Sequence, residues 1–296
     1  MSAGLDRDVA LICNPSAGGG RAAKALPQAE HALRELGVRF HTELTRSLEH
    51  GCELARTAAV AGEAAVTLSG DGLIGSVVGA LRDVPGALLG ILPGGRGNDT
   101  ARMLGIPSGL EDACAVVAGG ASRELDVGDV EGRSFIGIAS LGFDSDANRI
   151  ANEAPSRLGR LVYVYGAMRA LATWRPARFE LLVDGEAVTC TGYSVAACNS
   201  GYYGGGMLVA PGAALDDGLL DVVLIAEHSK RGFLLNLPRV FKGVHVRHPA
   251  VRVLRARELR VDADRPFTVY ADGDPIGNTP LTIRVIPHAV RVLVPA

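Results

Sequence analysis

The sequence predicts an α/β protein in two parts, a doubly wound N-terminal domain over residues 1–128 and a β-rich, sandwich-like C-terminal domain over residues 129–296. Three observations predict it. The first 120 residues alternate short apolar runs with longer Ala/Leu-rich segments, a β-α-β-α series that builds a parallel sheet with helices on both faces. Beyond residue 122 the texture changes to short strand-like segments with few helical interruptions, as in a sandwich or open barrel. Glycine, at 38 of 296 residues, is enriched to nearly twice its usual share of about 7% and shows no repeat period, so it marks specific turns rather than a fibre.

In chain order, Val9 to Cys13 is an unbroken apolar run and reads as a buried strand. Arg21 to Leu36 has helical periodicity and is ended by Gly37, and Val38 to Leu44 is a second strand. Leu48 to Ala61 reads as helix, Ala64 to Leu68 as strand, Ile74 to Arg82 as helix, Ala87 to Leu92 as strand, and Asn98 to Leu104 as a short capped helix. The second half offers strands at Ser134 to Ala139, Arg178 to Val183, Val188 to Ala197, Leu219 to Ile225 and Val251 to Leu254. Further strands follow at Leu259 to Val261, Phe267 to Ala271, Leu281 to Val285 and Val290 to Val294. Helices interrupt at Arg157 to Thr173 and Lys230 to Lys242. The boundary falls near Gly128, and the last strand is a candidate to return to the N-terminal domain.

Composition excludes several classes. Thirty basic against 32 acidic residues leave a formal charge of -2, which argues against a nucleic-acid binder or a polybasic membrane protein. Five cysteines at scattered positions form no C-x-x-C pair and point to a reducing, cytoplasmic setting. The N-terminal residues carry Asp6 and Asp8 where a signal peptide needs basic residues and an apolar run, so none is expected. The apolar stretch Leu73 to Leu92 is interrupted by Arg82, Asp83 and Pro85 and falls short of the roughly 20 residues of a spanning helix. The seven histidines show no metal-binding spacing, and G-x-S-x-G is absent, which removes the common zinc and serine hydrolase readings.

The glycines fall at strand ends. Ser16-Ala17-Gly18-Gly19-Gly20 follows the first strand, Ser69-Gly70-Asp71-Gly72 the third, and Gly94-Gly95-Arg96-Gly97-Asn98-Asp99 the fourth, each just before a helix. In an open α/β sheet ligands bind beyond the carboxyl ends of the strands, where glycine lets backbone N–H groups approach a phosphate. The first domain is therefore read as nucleotide-binding. Gly70 to Gly75 matches G-x-G-x-x-G, yet the following strand ends in Leu92-Pro93 with no acid for a ribose, so it is a weak dinucleotide fingerprint. Gly20-Arg21-Ala22 lacks the lysine and hydroxyl of a P-loop.

Together, Asn14-Pro15-Ser16-Ala17-Gly18, Gly70-Asp71-Gly72 and Leu92-Pro93-Gly94-Gly95-Arg96-Gly97-Asn98-Asp99 resemble the three nucleotide-site motifs of the diacylglycerol kinase catalytic-domain family, which includes bacterial lipid kinases and sphingosine and ceramide kinases. In the second half, Tyr203 to Met207 with Ala210-Pro211, Asp217-Gly218-Leu219-Leu220-Asp221, and Asp272-Gly273-Asp274 resemble the family's C-terminal series in order and spacing. The resemblance covers essentially the whole chain. It implies ATP in a cleft between the two domains, Mg²⁺, and transfer of the γ-phosphoryl group to a hydroxyl, usually on a lipid. It implies Asp272 as general base, with Asp274 where the family usually has glutamate. It implies Asn14, Pro15, Gly18, Gly70, Asp71, Gly72, Gly94, Gly95, Arg96, Asn98 and Asp99 at the nucleotide. Asp71, Asp99 and Asp126 match carboxylates around the catalytic magnesium, and Asp217 with the carbonyls of Leu219 and Ala214 matches a separate structural metal site.

The residues alone keep alternatives open. Asp217-Gly218 and Asp272-Gly273 also read as hairpins or turns, and Asn14 and Asn98 as helix caps. The family's threonine and Asn-Glu pair in the second loop are replaced by Leu73 and by Gly75-Ser76, and its threonine in the third by Arg96. Arg96 can restore phosphate contacts through a bidentate guanidinium; the other readings are altered nucleotide binding or lost catalysis. The acceptor is a lipid, a lipid-like molecule or a soluble small alcohol. Between Lys230 and Arg260 basic residues dominate among Phe233, Leu234, Leu235, Leu237 and Phe241, which reads either as a peripheral membrane surface or as a solvated face.

Overall fold

A computed structural model describes residues 4–154 and 161–296. The chain divides into two compact units, one running to Val127 and completed by Ile286–Ala296, the other Gly128–Val285. The elements in order are β1 (Val9–Cys13), α1 (Ala17–Glu35), β2 (Phe40–Leu44), α2 (Leu48–Val60), β3 (Ala64–Ser69), α3 (Asp71–Leu81), β4 (Leu88–Pro93), α4 (Asp99–Met103), α5 (Leu110–Gly119) and β5 (Ser122–Val130). They continue through β6 (Arg133–Phe135), β7 (Ile138–Gly142), α6 (Phe143–Glu153), α7 (Leu161–Thr173), β8 (Ala177–Val183), β9 (Glu186–Cys198), β10 (Tyr202–Tyr203), β11 (Met207–Leu208) and β12 (Leu220–Ala226). The last are α8 (Lys230–Val240), β13 (Val251–Ala256), β14 (Glu258–Ala263), β15 (Thr268–Ala271), β16 (Asp274–Asn278) and β17 (Leu281–Leu293).

In the first unit, β1, β3 and β4 are apolar and buried nearly throughout, as strands of a parallel sheet covered on both faces must be. The parallel order is β4-β3-β1-β2, and the end of β17 adds a fifth strand beside β4, pairing Arg291 with Leu88 and Val292 with Leu89. The chain runs outward from β1 to β2, then returns past β1 to β3 and on to β4. The topological switch point therefore lies between β1 and β3, where ligands bind in open α/β sheets. Helices α1 and α5 pack together, as do α2 and α3.

The second unit is antiparallel. Strand β9 is long and serves two sets of neighbours: its first half pairs β8, its second half β7 and β12. The change of partners falls at Gly192, where a Cβ would lie 2.2 Å from the Ile225 carbonyl oxygen. Beneath these strands Phe143, Trp174, Tyr193, Phe233 and Phe267 form a buried aromatic cluster, with Tyr193 and Phe233 stacked at 4.4 Å and Phe143 and Phe233 edge-on at 4.8 Å.

Several expectations are corrected. Ser134 to Ala139 is not one strand but β6 and β7, broken at Ile136-Gly137. Leu281 to Val285 and Val290 to Val294 are one strand, β17, kinked at His288 with φ 51°. Helices α5 and α6 carry no expectation from the sequence. The glycines after β1 stand outside the regular helix, as the expected start at Arg21 requires, with left-handed φ values of 63°, 72° and 89° at Gly18, Gly19 and Gly20. Arg157 to Arg160 lie outside the described residues.

In the first turn of α6, burial pushes the Asp144 carboxyl up to about 6 despite a hydrogen bond with Ser194. A raised carboxyl pKa means that the fold holds a proton the unfolded chain has already released. Stability therefore falls as pH rises between roughly 4 and 6, and the ionised carboxylate is a standing cost above that window. Asp144→Asn is expected to raise Tm by roughly 3–6 °C at pH 8 and to gain little at pH 4, read by thermal unfolding followed with circular dichroism. Equal gains at both pH values would remove the ionisation argument.

Candidate functional site

The three glycine loops meet at the switch point. The Asn14 N–H donates to the Leu68 carbonyl at 3.1 Å, tying the end of β1 to β3, and the Gly94 N–H donates to the Ser69 carbonyl at 2.7 Å, tying β3 to β4. Asn14 Oδ1 accepts from the Ser16 N–H at 3.1 Å and the Ser16 hydroxyl at 2.8 Å, folding the chain back through Pro15, so Asn14 shapes the turn and does not cap α1. Gly70 and Gly95 approach so closely that a Cβ on Gly95 would lie 2.5 Å from the Gly70 Cα. Asn98, left-handed at φ 52°, turns its Oδ1 onto the Gly95 N–H at 2.8 Å and stabilises the third loop instead of capping α4.

Two arginines and two aspartates finish this face. Arg21 reaches from α1 to the Gly95 carbonyl at 2.8 Å and also donates to the Gly18 carbonyl, bracing the first loop on the third. Arg96 lies over the first loop, its Nη2 3.4 Å from where a Gly19 Cβ would stand. Asp71 opens α3 and Asp99 opens α4, and Asp71 Oδ1 accepts from the Thr100 N–H at 2.9 Å, which brings Asp71 to the residue next to Asp99. Left-handed glycines, helix N-termini and guanidinium groups together favour an anion with several oxygens.

In the second unit the decisive contact is made by Asp272. Asp272 and Gly273, at φ 52° and 96°, form the two-residue turn of the β15–β16 hairpin, so the turn reading of this pair holds. The carboxylate does more than turn the chain. Its Oδ2 accepts from the Ile136 N–H at 2.9 Å, and its Oδ1 from the N–H groups of Gly137 and Ile138 at 2.9 and 3.2 Å. Those three donors are the backbone freed where β6 and β7 break, and the Asp272 N–H answers by donating to the Ile138 carbonyl. Gly137 allows the approach, because a Cβ there would lie 2.3 Å from Asp272 Oδ1. Asn199 steadies the segment by donating from Nδ2 to the Ile136 carbonyl at 2.9 Å. Asp274 stands exposed at the start of β16.

Comparison with known proteins fits this geometry. Residues 8–130 match the diacylglycerol kinase catalytic domain, and residues 137–294 match the YegS C-terminal NAD kinase beta sandwich-like domain. A diacylglycerol kinase of Mycobacterium tuberculosis is 34% identical, covering 100% of this chain and 99% of its own. The chain belongs to the diacylglycerol and lipid kinase family. A probable lipid kinase YegS-like protein of Chromohalobacter salexigens is 30% identical over 98% of this chain and 94% of its own. A crystal structure of a diacylglycerol kinase from Bacillus anthracis shares the fold, with TM-score 0.77 at 19% identity over 98% of this chain and 97% of that one.

Within this family member the remaining expected residues divide. Gly72 lies in the first turn of α3, and the Leu73 departure is explained by packing: its side chain is buried, with Cδ1 2.5 Å from where a Gly51 Cβ on α2 would stand. Ser76 donates to the Gly72 carbonyl within α3. Asp126 is fully buried and accepts from the His288 N–H at 2.9 Å, holding the kink of β17. Asp217 pairs with Arg255 and accepts from the Leu219 N–H at 3.1 Å; Ala214 lies in the same loop. A guanidinium thus stands beside Asp217 where a structural cation was expected, so the residues there do not fit a metal without displacing it. Desolvation raises the pKa of neighbouring Asp221, with Asp217 adding to the rise and Arg255 opposing it. Among the described residues no three His, Cys, Asp or Glu side chains gather to hold a metal. The sequence reading missed Arg21, Arg102, which pairs with Asp99, and Arg255, because each partner is defined by the fold rather than by a motif.

Proposed function

We propose that this chain transfers the γ-phosphoryl group of ATP to a hydroxyl of a lipid acceptor of the diacylglycerol type. The observation that carries the reading is the carboxylate of Asp272 held by three N–H donors at a broken strand, in a family member whose other unit brings three glycine loops to a switch point. Diacylglycerol kinases among the relatives support the acceptor class.

Phosphoryl transfer needs positioning and charge neutralisation more than covalent chemistry. The loops at Gly18, Gly70, Gly94 and Gly95 receive the phosphates, with Arg96 as a cationic contact and Arg21 fixing loop shape. Asp272 takes the proton of the acceptor hydroxyl; the oxygen bonds to the γ-phosphorus as the bond to the β–γ bridging oxygen breaks, and ADP leaves. Mg²⁺ fits Asp71, whose Oδ2 meets no donor among the described residues, with neighbouring Asp99, since this ion takes one or two carboxylates together with substrate phosphates. When bound it neutralises charge on the phosphates. Asp126, the third carboxylate of the expected set, is engaged at the β17 kink.

The test is label transfer from γ-labelled ATP with Mg²⁺ to diacylglycerol, sphingoid bases, ceramide and a total extract split into organic and aqueous phases. Label in the organic phase is expected. Label confined to the aqueous phase would move the acceptor to a soluble alcohol, and no transfer with intact ATP binding would make the chain a binding protein.

A further inference from the structure

Helix α8 has two different sides. At 3.6 residues per turn, Phe233, Leu237 and Val240 fall on one side, and Phe233 is buried against Tyr193 and Phe143. On the opposite side fall Arg231, Leu234, Leu235, Pro238 and Arg239, and the chain continues this side with Phe241 and Lys242 just beyond the helix. Leu235 is 77% exposed and Phe241 56%, and Leu234 and Val244 are also exposed. These are large apolar side chains in water beside cations.

Charge completes the pattern. Between His228 and Arg257 the chain has eight Lys or Arg and no Asp or Glu, although the protein as a whole is slightly acidic. A solvated helix face ordinarily mixes both signs and carries few bulky apolar groups. Exposed apolar side chains in a segment whose only charges are cationic match the boundary between lipid headgroups and acyl chains in an anionic leaflet. No helix among the described residues is long and apolar enough to cross a membrane, so such a contact lies in the interface plane.

We infer that the outward side of α8, with Phe241 and Lys242, is a docking surface for a bilayer containing anionic phospholipid. The inference rests on the lipid-acceptor reading in that it brings the enzyme to the phase where such an acceptor resides. Leu235 and Phe241 enter the headgroup boundary, and Arg231, Arg239 and Lys242 meet the phosphates.

The test is co-sedimentation with sucrose-loaded vesicles of phosphatidylcholine alone or mixed with phosphatidylglycerol. The wild-type protein is expected to pellet with the mixed vesicles and to stay in solution with phosphatidylcholine alone. The double variant Arg231→Gln, Lys242→Gln should weaken binding about 25-fold at low salt, near fivefold for each charge removed. Leu235→Ser should weaken it roughly five- to tenfold, whereas Leu182→Ser, an exposed leucine on β8, should leave it unchanged. All variants should retain phosphorylation of a short-chain diacylglycerol dispersed in solution.

Equal binding to both vesicle types, no binding to either, or unchanged binding by the α8 variants would overturn the proposal. So would loss of a dimer in sedimentation velocity on Leu235→Ser, which would assign the face to a second copy of the chain. Vesicle binding without phosphorylation of any lipid would sink the acceptor reading alone; phosphorylation of the short-chain lipid without vesicle binding would sink the surface alone.

Discussion

Asp272→Asn is expected to lower kcat by about a thousandfold or more while leaving the dissociation constant for ATP within about twofold, because it removes the proposed base without touching the glycine loops. Three N–H donors converge on two carboxylate oxygens, and an amide would set its own NH₂ against one of them. Gly137→Ala supplies a second route to the same result, since its new Cβ would meet Asp272 Oδ1 at 2.3 Å and force the carboxylate away. Steady-state kinetics with calorimetric titration of ATP separates the two parameters. A kcat within tenfold of wild type for Asp272→Asn would dismiss this residue as the base, and parallel loss of ATP affinity would show that the substitution had damaged more than the cradle.

Gly95→Ala carries the second large effect. Its Cβ would fall 2.5 Å from the Gly70 Cα and 2.8 Å from Asn98 Oδ1, so the second and third loops cannot keep their spacing and Asn98 loses its grip on the Gly95 N–H. Arg21, which holds the Gly95 carbonyl, transmits the disturbance to the first loop. A displacement of about 1 Å among positioning groups costs on the order of a hundredfold. Affinity for ATP is therefore expected to fall roughly ten- to a hundredfold while thermal unfolding stays cooperative. Unchanged affinity in a folded variant would show that the nucleotide does not use these loops.

The parts legible in the sequence are those whose chemistry is local. Three glycine clusters at strand ends announce themselves because left-handed backbone and close approach demand glycine, and the apolar runs of β1, β3 and β4 announce a covered sheet. The cradle was not legible. Ile136-Gly137 sits in an apolar stretch that reads as continuous strand, and only a carboxylate 135 residues away reveals why the strand breaks there. Helix α6 does carry a helical apolar period, at Phe143, Ala147, Ile150 and Ala151, which the polar residues between them hide from a reading by runs, and its Phe143 and Asp144 are explained only by the aromatic cluster and by β9. The ion pair of Asp217 was hidden for a similar reason: Arg255, 38 residues on, lies outside any motif window.

Strand β17 begins in the second unit and ends in the first, where Arg291 and Val292 cover the free edge of β4. On a ribosome the first 127 residues emerge long before that covering strand does. Until it arrives, β4 presents an unpaired parallel edge, the kind of surface that recruits a neighbour's strand. The N-terminal unit is thus the first to be started and is closed only after the second unit has been made.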